Sequence, residues 1–113
     1  MILIINGFDF SEYVLEGGIA FTPDPKFNAV ETLDGHIRAV KRLDLEDISI
    51  SFGLMDETKS NQLRSIVKDS TYITIETSDG TKKYWDARLS RRQRFILNGA
   101  LWYDGMVLSA KEV

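Results

Sequence analysis

The chain offers little of what enzymes use. Histidine occurs once, at His36, and cysteine not at all. A zinc site needs three or four such ligands, so one imidazole without thiolates cannot supply the usual cluster. His36 follows Asp34-Gly35, a turn dipeptide, and reads as an exposed turn residue. Asp44, Glu46 and Asp47 could suggest a cation site, and Asp44 and Glu46 would share a strand face. No calcium-loop spacing follows them, however, and a solvated strand entrance accounts for all three. Gly17-Gly18 is not followed by Lys-Ser or by a helix, so it is not a phosphate loop. The serines have no histidine at a plausible triad position. No catalytic, cofactor-binding or metal-binding residue is assigned, and no cofactor is expected.

The residues that could do something else are basic. Lys82, Lys83, Arg88, Arg91, Arg92 and Arg94 fall within thirteen residues, with Asp86 the only acid among them. Tyr84, Trp85 and Phe95 are interleaved, a composition that can stack bases and hold phosphates. Two points argue against nucleic acid. The whole chain is acidic, with a pI of about 5.1, and strand alternation assigns Trp85 to the core. Arginine's planar fork also suits carboxylates across a protein interface, the better use of this cluster. Charge is divided along the chain. Residues 1–57 hold 11 acids and 4 bases, a net of −7, while residues 58–113 hold 6 acids and 10 bases, a net of +4.

The elements that position these residues follow from periodicity. The length of 113 residues, 43% hydrophobic and 27% charged, fits a single domain over residues 1–113. No apolar run approaches the roughly 18 residues that span a bilayer, and the N-terminal stretch does not read as a signal peptide. One helix is expected over about residues 56–69. Asp56 caps it, Glu57 and Lys68 suit its dipole, and Leu63, Ile66 and Val67 form its apolar stripe. The remainder reads as short strands. Asn6-Gly7, Asp34-Gly35 and Asn98-Gly99 are hairpin signals. Ile19–Phe21 is a short strand stopped by Thr22-Pro23-Asp24-Pro25.

Phe27–Leu33 and His36–Leu43 form a hairpin that opposes Glu31 to Arg38 and Val30 to Ala39, and that can project from the core. Ile48, Ile50, Phe52 and Leu54 point one way, with a bulge expected near Glu46-Asp47. A three-residue turn ending at Gly80 opposes Ile73 to Trp85 and Glu76 to Lys82, placing Trp85, Ala87 and Leu89 in the core. In a final strand Leu101–Val113, Met106, Leu108 and Ala110 share one face. Tyr103 and Val107 take the other, as apolar residues for a partner to cover. The fold class is mainly β (α+β): a β-sandwich or partly open barrel of short antiparallel strands with one flanking helix.

Three segments carry a family likeness. Ile4-Ile5-Asn6-Gly7-Phe8-Asp9 opens the chain. Thr32-Leu33-Asp34-Gly35 is followed by Arg38 and Lys41-Arg42 and then an alternating strand, and Leu101-Trp102-Tyr103-Asp104-Gly105-Met106 lies near the end. Together they resemble small tail proteins of long-tailed bacteriophages and prophages, tail-tube-like or baseplate-like. The resemblance implies a structural virion component without catalytic residues. Such a protein is made in the host bacterial cytoplasm and resides in the virion tail. It assembles with itself, as a ring or stack, and with other tail proteins. The other reading open to these residues is a small β-sandwich or barrel that binds a ligand or nucleic acid.

Overall fold

The computed structural model describes residues 2–23, 26–31, 37–42 and 45–113. In chain order the elements are β1 (Leu3–Ile5), β2 (Phe8–Asp9), a 3-10 turn (Ser11–Tyr13), β3 (Val14–Pro23), β4 (Lys26–Glu31), β5 (Ile37–Arg42), β6 (Glu46–Phe52) and β7 (Met55–Asp56). Then come α1 (Glu57–Asp69), β8 (Tyr72–Thr77), β9 (Gly80–Ser90), β10 (Gln93–Leu97), β11 (Ala100–Asp104) and β12 (Val107–Glu112). Seven strands form an antiparallel sheet in the order β2-β1-β8-β9-β12-β6-β3, and β10-β11-β7 form a second sheet. The large sheet curls. Ile2, just before β1, lines one cleft with Ile19 and Phe21 of β3. Five strand spacings, about 24 Å if the sheet were flat, separate those positions in the ladder. The start of β1 approaches β3 without pairing, and the architecture is mainly β, a sandwich or partly open barrel with one helix against it.

Local sequence explains the turns. Asn6-Gly7 and Asn98-Gly99 have φ values of 49°, 84°, 52° and 77°. They are tight two-residue turns that pair Ile5 with Phe8 and Leu97 with Ala100. The Asn6 side chain also accepts a hydrogen bond from the Thr74 amide at 2.8 Å, fastening β1 to β8. α1 begins as its sequence requires: the Asp56 carboxylate accepts from the Lys59 amide at 3.1 Å. Leu63 and Ile66 are buried, Val67 packs beside them, and the fully buried Ser60 extends the stripe by one turn. Beneath the helix lie Met55, Tyr103 and Met106. Within the curl of the large sheet lie Leu3, Ile5, Phe10, Ile48, Ile50, Phe52, Ile73, Ile75, Tyr84, Leu108 and Ala110. Phe10 meets Phe52 edge to face at 6.4 Å.

Several expectations are corrected. The β8–β9 turn is Ser78-Asp79, with Thr77 opposite Gly80 and Ile73 opposite Tyr84. Tyr84 is therefore the buried aromatic, and Trp85 is 44% exposed. Ala87 and Leu89 still pack against the core because a bulge intervenes. Asp86 has φ 51°, and the pairing steps from Trp85–Lys111 to Arg88–Ser109. That extra residue lets Tyr84 and Ala87 face the same way.

Leu54 is exposed, since β6 ends at Phe52 and Met55 enters the core instead. The register shift on this side of the sheet lies in β3, between Val14 and Ile19, rather than near Glu46-Asp47. Pro23 continues β3 opposite Glu46, which an edge strand tolerates. Gly105, at φ 70°, divides the expected final strand into β11 and β12, which belong to different sheets.

Among the described residues β4 and β5 pair only with each other. Their register opposes Val30 to Arg38 and Glu31 to Ile37, one residue away from the expected one, with five residues between the arms. Asp34-Gly35, His36 and Asp44 lie outside the described residues. The chain measures 70 × 25 × 22 Å with a radius of gyration of 17.5 Å. A compact chain of this length would have a radius of about 13 Å.

Candidate interaction surface

The basic cluster does not form one patch, because strand alternation and the bulge distribute it. Lys82 points toward the open rim, 4.0 Å from Glu112 and 3.7 Å from Asp79, with its ammonium 6.0 Å from the Phe21 ring. Lys83 and Arg88 lie on the outer face of β9, with the Arg88 side chain well exposed. Arg91 turns inward. Its Nη2 donates to Ser60 Oγ at 2.8 Å, and its guanidinium lies 4.5 Å from the Tyr103 ring. The stem of Arg92 runs along Gly105, and Arg94 is exposed on β10. Tyr103, expected to await a partner, is only 5% exposed and packs in the core. Val107 is half-buried.

The structure brings a different set together. Tyr72 and Trp85 are cross-strand partners on the outer face of the large sheet, 51% and 44% exposed. The Lys83 ammonium lies 4.3 Å from the Tyr72 ring, and that of Lys111 lies 5.7 Å from the Trp85 ring. Asp86 lies between the cations, 3.7 Å from Lys111 and 3.5 Å from Arg88. Beside it a shallow groove of about 450 Å³ is lined by residues that include Asp47, Ser49, Asp86, Arg88, Ser109 and Lys111. Tyr72 and Lys111 were missed in the sequence, where each is far from the cluster. Pairing across β8, β9 and β12 unites them, and register alone could have revealed it.

No protein-family model, curated protein or solved structure matches this chain. Among the described residues no helix is long and apolar enough to cross a membrane, and no group of three or more His, Asp or Glu is placed to hold a metal ion.

At the other end of β6 the surface is acidic. Gly53 donates its amide to the Tyr13 carbonyl at 2.8 Å and sits against the Leu15 side chain. Leu15 and Leu54 are both exposed there. Glu12, Glu16, Asp56 and Glu57 flank them in the chain, and the carboxylates of Glu12 and Asp56 act on the Tyr13 phenol. Burial, reinforced by the carboxylates of Asp56 and Glu12, raises the Tyr13 phenol above its ordinary pKa. Lys59 is the local cation, and it is engaged within the chain. Its ammonium donates to the Asp9 carbonyl at 3.0 Å and lies 5.0 Å from the Phe10 ring. Hydrogen bonds from Ser11 hold the Asp9 carboxyl below its usual pKa.

Proposed function

We propose that this chain is a structural tail component of a long-tailed bacteriophage or prophage, of the tail-tube, baseplate or tail-adaptor type. It acts by self-assembly and by contacts with other tail proteins, is made in the host bacterial cytoplasm and performs no catalysis. The observation that carries this reading is the β4–β5 ribbon. Among the described residues it joins neither sheet of the body, in a chain 70 Å long and about a third as wide. A lone two-stranded ribbon is marginal in water, so a neighbouring subunit that covers it would add stability the single chain lacks. The sequence resemblance supplies the biological setting, and the opposite charges of the two halves suit contacts between unlike surfaces.

Sedimentation velocity across a concentration series, with negative-stain microscopy of the same samples, tests the reading. Closed rings or stacks that grow with concentration are expected. A monomer at every concentration overturns it.

One observation favours a second reading, a small barrel that binds a ligand or nucleic acid. Trp85 is on the surface beside Tyr72 and lysines, so the core role that argued against base stacking does not hold. A monomer that binds a single-stranded oligonucleotide would select that reading.

A further inference from the structure

We infer that the contact between copies joins the acidic Leu15–Leu54 end of one subunit to the Tyr72–Trp85 face of the next, an inference that rests on the self-assembly reading. The two surfaces are built alike with charges reversed. One has exposed apolar side chains, Leu15 and Leu54, flanked in the chain by the exposed Glu12, Glu16 and Glu57. The other has exposed aromatic side chains, Tyr72 and Trp85, among Lys83, Arg88 and Lys111, with Asp86 between them and Asp47 in the adjoining groove. Apolar centres with charged rims are the usual division of labour at an interface. The centre supplies affinity, with Trp, Tyr and Arg prominent, and the rim guides encounter and register.

Their placement decides the geometry. Lys111 pairs with Trp85 and Ala110 with Ile48, so the aromatic face lies near the start of β6. Val14 pairs with Phe52, so the acidic end lies at its finish. Five residues of strand separate the two levels, about 16 Å. The two surfaces differ, so a contact that uses one of each and leaves the second pair free is head-to-tail, and it closes as a ring or continues as a filament.

Charge exchange tests the contact. One variant carries Lys83→Glu and Lys111→Glu; the other carries Glu12→Lys and Glu57→Lys. All four positions are on the surface, and circular dichroism should show both variants folded as the wild type. Each variant alone should need about tenfold more protein to assemble. An equimolar mixture should assemble as the wild type does, because each reversed surface meets its reversed partner. If a reversal impairs folding, Trp85→Ser replaces the first variant and should weaken assembly without rescue by the second.

Variants that assemble like the wild type overturn this contact and leave the self-assembly reading standing. A wild type that never assembles removes both. A monomeric wild type that binds a single-stranded oligonucleotide through Lys83 and Lys111 also overturns the proposal and assigns the face to nucleic acid.

Discussion

Arg91 Nη2 donates to Ser60 Oγ at 2.8 Å, and the Ser60 hydroxyl lies 3.7 Å from Met106 Sδ. A charged side chain from the end of the basic cluster is thereby joined to the buried face of α1, over the Tyr103 ring. Arg91 fastens the helix to the sheet.

Arg91→Ala should lower stability by about 1–3 kcal/mol, since Ser60 loses a partner and Tyr103 its cover. Arg91→Glu should cost more, whereas Arg92→Glu should leave the urea midpoint nearly unchanged. Comparing the three midpoints at equal m-value checks this. An Arg91→Ala protein as stable as the wild type would show that the guanidinium contributes nothing to the fold.

Phe52 and Trp85 should respond oppositely to truncation. Phe52→Ala empties a fully buried site beside Phe10 and should cost about 3–5 kcal/mol. Trp85→Ala alters an exposed residue and should stay within about 1 kcal/mol. Thermal or urea denaturation of the two variants reads the difference directly.

Tyr84 gives the fold a definite alkaline limit. Its phenol is pushed up to about 12, mainly by burial and then by Glu112, Glu46 and Asp79. In the unfolded chain it titrates near 10. Between these values the unfolded chain loses the proton first, so stability falls as pH rises. Below about pH 10 the contribution is complete. The loss approaches about 1.4 kcal/mol per pH unit. Tyr84→Phe should remove this part of the decline, which a series of melting temperatures from pH 8 to 12 would show against the wild type.

Asp56→Ala should cost about 1 kcal/mol by removing the cap at the Lys59 amide. Asp56→Asn and Asp56→Ser should recover most of it. Helical circular dichroism and the urea midpoint should move together.

What was legible in the sequence was local. Asn6-Gly7 and Asn98-Gly99 specify their turns through backbone preferences of two adjacent residues. Asp56, Leu63 and Ile66 specify the helix through a cap and a period. What was illegible depended on partners. Nothing adjacent to Trp85 announces that Asp86 will take a positive φ, and one extra residue there defeats the alternation that assigned Trp85 to the core. The registers at Tyr84 and Val30 each differ by one residue from the expected pairing, because a turn dipeptide does not fix which flanking residues pair. The Arg91–Ser60 contact spans 31 positions, and no spacing rule reaches that far. The candidate surface failed for the same reason, since Tyr72 and Lys111 come beside Trp85 only through cross-strand pairing.

Asp86 also sets the parity of β9. Up to Trp85 the odd-numbered residues face outward, and from Arg88 onward the even-numbered ones do. Straightening the strand with Asp86 retained would send Arg88 inward and Leu89 out. Removing Asp86 altogether would bring Ala87 opposite Ala110 and leave every other side chain on the face it now occupies. The strand should therefore tolerate the loss of this residue better than the loss of its irregular geometry. In that sense Asp86 is a spacer in the count, and the chemistry of both faces depends on the count being kept.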